Sequence, residues 1–215
     1  MNSKLWLLQK EIGPMANYVY LLGDTDSKSA MVVDPAWDVP LIFELLQKQQ
    51  YTLKGIIITH GHPDHTNGIE EITDQLDIPV YINKKEAEFF GIHDHTVLTD
   101  DNTIIEIGNQ KITCLHTPGH TPGSQCMLIN NNLITGDTLF LDGCGRCDFP
   151  GGDPTAMYHT LNQKIKNMDD NTIIYAGHNY HPKSVDTLGS QKQTNPYLSA
   201  KSKEDFLQHR MGIWM

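Results

Sequence analysis

The sequence predicts a mixed α/β fold built from layers of sheets and helices. Short β-branched strands occur along the whole chain, and amphipathic helical segments interrupt them. The run 53–60 is apolar rather than alternating, as in a strand that is buried on both faces. Such an order fits an α/β/β/α sandwich or a three-layer parallel fold, and periodicity alone does not choose between them.

The first part of the chain alternates strands with helices. Residues 17–22 and 30–33 read as strands joined by the turn sequence GDTDSKS, and 34–50 opens a helix with leucines at helical spacing. The next predicted elements are a strand at 53–60, a helix at 63–76 that begins at a proline, a strand at 79–83 and a short helix at 84–90.

The second part is expected to form antiparallel meanders and then one more helix and strand. Strand candidates separated by Gly, Asn and Pro cover 102–108, 110–117, 124–129 and 132–137. They are followed by a helix at 153–168, a strand at 171–178 and, in a polar segment, a helix near 202–211. We therefore expect a single domain over 1–215, with a short helical tail from about residue 183.

Charge and hydropathy limit the partners and the location. The 215 residues carry a formal net charge of −10, which disfavours nucleic acid as a partner. No apolar run approaches the roughly 20 residues of a membrane span, and the leucines near the N-terminus form too short a run for a signal peptide. We expect a cytoplasmic protein without membrane contact that acts on a small molecule, and its oligomeric state stays open.

The spacing of the four cysteines matches neither a disulfide framework nor a structural zinc site. Cys144 and Cys147 have the C-x-x-C spacing, but a structural zinc site usually needs a second such pair, which the sequence lacks. We expect ordinary thiols, with a redox role as the alternative.

The sequence IIITHGHPDHTNG, residues 56–68, is the strongest functional signal. His60 and His62 lie two residues apart in an extended segment, so both side chains can point the same way. Gly61 and Pro63 indicate a turn that carries Asp64 and His65 to a second point. Imidazole and carboxylate groups bind zinc, iron or manganese, so the motif predicts a metal site.

Three more candidate ligands lie at strand ends, namely His120, Asp137 and His178. Seven ligands are too many for one tetrahedral ion but suit two ions about 3.5–4 Å apart. Two cations that close need anions between them, and Asp137 together with a hydroxide would supply these.

Four motifs in this order, THGHPDH, HTPGHTPGS, GDTLF and YAGH, resemble the metallo-β-lactamase superfamily over about residues 17–180. The resemblance implies a four-layer αββα sandwich with its site at one edge of the stacked sheets. It also implies that one metal is held by His60, His62 and His120, the other by Asp64, His65 and His178, and that Asp137 bridges them.

The bridging residue indicates the branch of the superfamily. True β-lactamases usually have a cysteine or serine in place of Asp137, whereas glyoxalase II, persulfide dioxygenases, RNase Z and lactonases have the aspartate. RNase Z is disfavoured because the chain is acidic and short. By resemblance to glyoxalase II, Arg146 and Tyr180 match positions that contact glutathione, but Asp148 replaces a tyrosine. Arg146 and Asp148 also predict a local ion pair.

The resemblance implies a metal-dependent hydrolase that cleaves a thioester or ester, with a hydroxyacylglutathione-like compound as the leading substrate. Two divalent ions, expected to be zinc, would supply the attacking metal-bound hydroxide, and Asp64 would orient that nucleophile or take its proton. The alternative is a persulfide dioxygenase acting on glutathione persulfide, with one iron held by His62, His120 and Asp137. A lactonase and a non-catalytic metal-binding sensor are the remaining alternatives.

Overall fold

The structure of the chain is a computed structural model that describes residues 4–91 and 94–212. Two six-stranded sheets stack on each other, and helices pack on both outer faces, which confirms the αββα sandwich and excludes the three-layer parallel fold. Among the described residues, no helix has the length and apolarity required to cross a bilayer.

The first sheet is antiparallel at one side and parallel at the other. Its strands in spatial order are β1 (Leu5–Ile12), β2 (Asn17–Asp24), β3 (Ser29–Val33), β4 (Thr52–Ile57), β5 (Val80–Asn83) and β6 (Thr96–Thr99). The pairs from β1 to β3 are antiparallel, and those from β3 to β6 are parallel. Strand β4 is therefore an interior strand, as its apolar run predicts.

The second sheet contains the predicted antiparallel meander. Its strands in spatial order are β14 (Asp186–Thr187), β13 (Ile173–Ala176), β10 (Asn132–Gly136), β9 (Gln125–Ile129), β8 (Gln110–His116) and β7 (Ile104–Ile107). Only β10 and β13 pair in parallel. A separate hairpin joins β11 (Leu139–Phe140) to β12 (Gly143–Cys144).

The described residues form seven α-helices, and five of them begin at a side chain that accepts a hydrogen bond from a free backbone N–H group. The seven helices are α1 (Val39–Lys48), α2 (Pro63–Thr66), α3 (Ile69–Thr73), α4 (Lys84–Phe90), α5 (Pro154–His159), α6 (Leu188–Thr194) and α7 (Lys203–Met211). Asp38, Asn83 and Asp153 cap α1, α4 and α5 in this way. After α5 the chain continues as a π-helical turn, Thr160–Lys164, and a 3₁₀ turn, Ile165–Asn167.

Three apolar clusters separate the four layers. The central cluster lies between the sheets and contains Tyr20, Ile57 and Met127. The outer clusters join each sheet to its helices, with Ile42 of α1 on one side and Phe206 of α7 on the other. Phe206 is fully buried, so the segment after residue 183 contributes to the core of the second helical layer.

The structure corrects several predicted elements. The predicted helix 63–76 is two short helices, because the chain turns at Gly68, whose N–H donates to the Pro35 carbonyl at 3.0 Å. A side chain at Gly68 would also collide with that carbonyl, at 2.8 Å from its Cβ. Strands β1 and β6 and helix α6 are absent from the sequence prediction, since each is short or half-exposed and lacks a clear periodic signal.

Candidate metal centre

The seven predicted ligands come together at one edge of the sandwich. The first four follow β4 of the first sheet: His60 and His62 lie in the loop before α2, and Asp64 and His65 lie within α2. The other three follow strands of the second sheet: His120 lies between β8 and β9, Asp137 follows β10 and His178 follows β13. Both sheets therefore supply ligands to the same point, as the strand-end positions predict.

The ligand atoms form two sets. Nitrogen atoms of His60, His62 and His120 all lie within 4.8 Å of one another, and so do the ligand atoms of Asp64, His65 and His178. Asp137 reaches both sets: its Oδ1 is 3.4 Å from His65 Nε2, while its Oδ2 is 3.6 Å from His120 Nε2 and 3.4 Å from His178 Nε2. This is the arrangement expected of two neighbouring ions with a shared carboxylate.

Hydrogen bonds on the outer side of each ring determine which nitrogen is free. His120 Nδ1 donates to the Arg146 carbonyl at 2.7 Å, and His178 Nδ1 donates to the Met15 carbonyl at 2.9 Å, since a carbonyl can only accept. In the neutral tautomers so defined, each Nε2 carries a lone pair that points into the centre.

Each of these two lone pairs faces a ring nitrogen of another histidine at a short distance. His65 Nε2 lies 3.1 Å from His178 Nε2, and His120 Nε2 lies 3.0 Å from His62 Nδ1. His60 Nε2 and Asp137 Oδ1 are buried without any hydrogen-bond partner. Converging lone pairs and unsatisfied buried acceptors repel unless a cation stands among them, so the residues fit a bound metal.

Asp34 orients His65 from behind. This buried carboxylate, at the end of β3, accepts hydrogen bonds from Thr59 N at 2.7 Å, Thr59 Oγ1 at 2.6 Å and His65 Nδ1 at 3.0 Å. Asp34 also lies near His60, but three of its roughly four lone-pair sites are already used, including both on Oδ2, so we assign it to the orientation of His65 rather than to metal binding. Sequence reasoning missed Asp34, and its signal was an Asp-Pro pair directly after a buried strand.

Asn17 holds Asp64, one of the predicted ligands. Its Nδ2 donates to Asp64 Oδ2 at 2.9 Å and to the Asp64 carbonyl at 3.0 Å, while its Oδ1 accepts from Trp37 Nε1 at 2.9 Å. Asn17 was read from the sequence only as the start of a strand. No local pattern marks it, because its partner is 47 residues away.

The electrostatics of the centre keep its groups in forms that bind metals. Burial lowers the pKa of His60 well below its ordinary value and that of His62 to about 4, so both are neutral. Burial opposes ionisation of Asp137, but the adjacent His65 and His178 outweigh it and lower its pKa. Burial also opposes protonation of His65, yet Asp137 and Asp34 raise its pKa to about 9. A metal cation would take the place of that proton.

Glu86 connects the two ligand loops. This fully buried carboxylate accepts from Gly61 N at 2.6 Å in the first loop, and from Thr121 Oγ1 at 2.7 Å and Gly123 N at 2.8 Å in the second. Burial raises its pKa. In the sequence, Glu86 is one charged residue in a short polar helix, so the pattern indicated solvent exposure and not this role.

The predicted substrate residues border a cavity of about 230 Å³ above the ligands, which also contacts Phe140 and Phe149. Tyr180 is 61% exposed and stacks on the His178 ring, with centroids 4.7 Å apart. Arg146 forms the predicted ion pair with Asp148, through two hydrogen bonds of 2.9 and 2.6 Å. Its guanidinium group also lies over Phe149, 4.1 Å from the ring centroid.

The cysteines are buried free thiols. Cys144 and Cys147 lie in the apolar cluster under the second sheet, and burial raises the pKa of Cys147 to about 12. Thiols of this kind are unreactive, which agrees with the expectation of ordinary thiols and leaves no support for a redox role.

Comparison with known proteins places this geometry in a family. The metallo-beta-lactamase superfamily profile matches residues 12–178. The chain is 33% identical over 195 residues to the probable polyketide biosynthesis zinc-dependent hydrolase PksB of Bacillus subtilis, covering 90% of this chain and 87% of PksB. It is 28% identical to the hydroxyacylglutathione hydrolase GloC of Haemophilus influenzae, covering 82% of this chain and 91% of GloC.

Two further similarities concern the persulfide dioxygenase branch. The mitochondrial persulfide dioxygenase ETHE1 of Mus musculus is 31% identical over 207 residues, which cover 92% of this chain and 78% of ETHE1. The crystal structure of ETHE1 from Myxococcus xanthus superposes with a TM-score of 0.88 at 26% identity, over 97% of this chain and 92% of that one. The relatives thus include both hydrolases and dioxygenases, and on the fold, the profile and these identities together the chain belongs to the metallo-beta-lactamase superfamily.

Proposed function

We propose that the protein is a metal-dependent thioester hydrolase that holds two divalent ions, with zinc as the native metal. The observation that carries this proposal is the pair of complete ligand sets that share Asp137. With a single ion in the first set, the converging ligand atoms of Asp64, His65 and His178 would have no cation to bind. The names of PksB, a zinc-dependent hydrolase, and GloC, a hydroxyacylglutathione hydrolase, support the same reaction class.

When bound, such ions lower the pKa of a coordinated water and polarise a carbonyl, which is the chemistry that thioester hydrolysis needs. Overall, water adds to the carbonyl carbon, the carbon–sulfur bond breaks, and the sulfur leaves as a thiol with one of the water protons. Asp64 is 17% exposed and lines the cavity, where it can orient the attacking water or accept its proton. Asn17 fixes the carboxylate for this task through the bond to Oδ2.

Residues of the cavity position the substrate. Tyr180 and Phe140 form an aromatic wall against His178, and Arg146 also lines the cavity. No cysteine among the described residues reaches this cavity, so the nucleophile is water rather than a thiol of the protein. A hydroxyacylglutathione is the first compound to test, with Arg146 and Tyr180 as the proposed contacts.

The experiment combines elemental analysis with a thiol-release assay. The purified protein should hold two zinc ions per chain and release one thiol per thioester consumed from a panel that includes a hydroxyacylglutathione. Asp64→Asn should lower kcat and leave KM unchanged. Failure of the fully metallated protein to release thiol or alcohol from any thioester or ester would refute the proposal.

A persulfide dioxygenase is the second candidate. His120 Nε2 lies 3.0 Å from His62 Nδ1 and 3.6 Å from Asp137 Oδ2, and these three groups are the donor set of a two-histidine, one-carboxylate iron site with open positions. The 31% identity to ETHE1 of Mus musculus supports it. One iron per chain, together with oxygen uptake on addition of glutathione persulfide, would favour this function. Absence of oxygen uptake by iron-loaded protein would exclude it.

We also propose a cytoplasmic location and a small-molecule substrate. The net charge of −10 supports the absence of nucleic-acid binding. Cell fractionation with an antibody to the chain tests the location, and recovery in the membrane pellet after high-salt washing would contradict it.

A further inference from the structure

An exposed apolar surface borders the metal centre. Met15, Phe89, Phe90 and Phe149 are each between 41% and 48% exposed, although large apolar side chains normally avoid water when they cluster. These four residues, with Pro63 and Pro150, line a cleft of about 370 Å³, which we call the aromatic cleft. Its volume falls in the range of small-molecule sites, roughly 300–1,000 Å³.

The aromatic cleft is continuous with the cavity above the ligands. Met15, His62, Asp64 and Phe149 line both. The His62 ring meets Phe90 and Phe149 edge-on, with centroids 5.6 and 5.9 Å away. A chain that extends from a carbonyl held at the centre would therefore enter the aromatic cleft directly.

The cleft wall is preformed. Phe89 and Phe90 end α4, which Glu86 fixes to both ligand loops, and their rings pack edge-to-face at 4.9 Å. Two glycines make room for these rings: a Cβ at Gly61 would lie 2.5 Å from Phe90, and one at Gly151 would lie 2.8 Å from Phe89. A preformed apolar wall binds an apolar group without the entropic cost of ordering its own side chains.

The charges around the site favour an apolar occupant over a peptide. Glutathione carries two carboxylates, which call for basic partners. Among the residues that line the aromatic cleft and the cavity, Arg146 is the one lysine or arginine, and Asp148 already engages one edge of its guanidinium through Nε and one Nη atom. No lysine or arginine is among the residues that line the cleft itself, so the cleft offers a carboxylate no basic partner.

We propose that the aromatic cleft binds the apolar acyl chain of the thioester, so that the enzyme prefers medium-length aliphatic or aromatic acyl groups to short polar ones. This inference rests on the proposed hydrolase function and assigns its substrate class. It makes Phe89, Phe90, Phe149 and Met15 specificity-determining residues.

The test uses one thiol carrier and a graded set of acyl chains. N-acetylcysteamine thioesters of acetyl, butanoyl, hexanoyl and octanoyl groups are assayed for kcat/KM with the metal-loaded protein. Thioether analogues of the same chains, which cannot be hydrolysed, are titrated by calorimetry. We expect both kcat/KM and affinity to rise with chain length, by up to about fourfold per methylene, because each methylene leaves water.

Variants at Phe89 test whether the dependence on chain length arises in the aromatic cleft. Phe89→Ala should flatten the dependence on chain length in both measurements, and Phe89→Leu should largely restore it. The matched control is Leu98→Ala, which removes an exposed apolar side chain on β6 that lines neither cavity. This control should keep the wild-type dependence.

Each outcome separates the acyl-chain inference from the proposed function. Hydrolysis of the acetyl thioester with no rise along the series would overturn the acyl-chain inference and leave the hydrolase. Analogue binding that rises with chain length, without turnover of any thioester, would overturn the hydrolase. If Phe89→Ala instead changes the oligomeric state by analytical ultracentrifugation and leaves the chain-length dependence intact, the cleft is a self-association surface and the inference is wrong.

Discussion

Replacement of Asp34 by asparagine tests how the second ligand set is prepared. In the native protein, Asp34 Oδ1 accepts from Thr59 N, and Oδ2 accepts from Thr59 Oγ1 and His65 Nδ1. A backbone N–H cannot become an acceptor, so the amide oxygen of the variant must take the Oδ1 position. The amide nitrogen then faces His65 Nδ1 and donates to it.

The variant therefore reverses the tautomer of His65. With Nδ1 as an acceptor, the proton moves to Nε2, the atom that lies 3.1 Å from His178 Nε2 and 3.4 Å from Asp137 Oδ1. A protonated Nε2 cannot bind a metal. Replacement of the residue that orients a metal-binding histidine lowers metal affinity about tenfold to a hundredfold. Loss of the charge-assisted hydrogen bond between Asp34 and His65 lowers the free energy of unfolding by about 1.5–3 kcal/mol.

Chelator competition and chemical denaturation measure these two quantities. Chelator competition should show that one ion binds more weakly than in the wild type and that the other binds with nearly wild-type affinity. Denaturation in excess chelator gives the loss of unfolding free energy in the absence of metal. The matched control is Asp24→Asn, which alters a buried carboxylate at the far end of β2 from Asn17, bonded to Ser27 N at 3.0 Å and Gln110 Nε2 at 3.4 Å. Wild-type affinity for both ions in Asp34→Asn would refute this account of His65.

Four further outcomes are expected. Asp137→Ala should lose metal occupancy and activity together, because it removes the negative charge shared by both ligand sets. Arg146→Ala should raise KM with little change in metal content, because the carbonyl that orients His120 belongs to the backbone and is kept. Glu86→Ala should lower the free energy of unfolding by about 3 kcal/mol or more, since three donors in the ligand loops lose their acceptor. All four cysteines should resist a disulfide reagent at pH 8 in the folded protein and react after denaturation, because they are buried.

Each of these four expected outcomes has a measurement that can contradict it. Elemental analysis with two ions retained in Asp137→Ala would show that it does not bridge, and an unchanged KM in Arg146→Ala would make that side chain a loop-shaping residue. Glu88→Gln, a change on the exposed face of α4, is the control for Glu86 in denaturant unfolding. Rapid labelling of any native thiol would contradict its burial.

The candidate ligands could be picked out in the sequence because chemistry and position coincide there. His60, His62, Asp64 and His65 are close in the chain and follow an apolar strand, and His120, Asp137 and His178 each stand next to turn residues at strand ends. The order of elements likewise predicted layers of strands and helices. The choice of two stacked sheets needed the family resemblance, since local periodicity carries no information on which strands pair.

The supporting residues could not be found in this way. Asp34 and Glu86 act on partners 25 to 37 residues away, and their burial depends on the packing of loops that the sequence does not describe. The aromatic cleft was missed for the same reason. Phe89 and Phe90 read as the end of an ordinary helix until Phe149 is brought beside the ring of His62.

Each ligand set draws on both sheets, and this has a thermodynamic consequence. His60 and His62 meet His120 across the sandwich edge, just as Asp64 and His65 meet His178. An ion at either position would tie the two halves of the molecule together and bind only the folded chain. Such linkage adds about 4 kcal/mol when free metal exceeds its dissociation constant a thousandfold. Melting temperatures of this protein are therefore comparable between variants only in solutions buffered to the same free metal concentration.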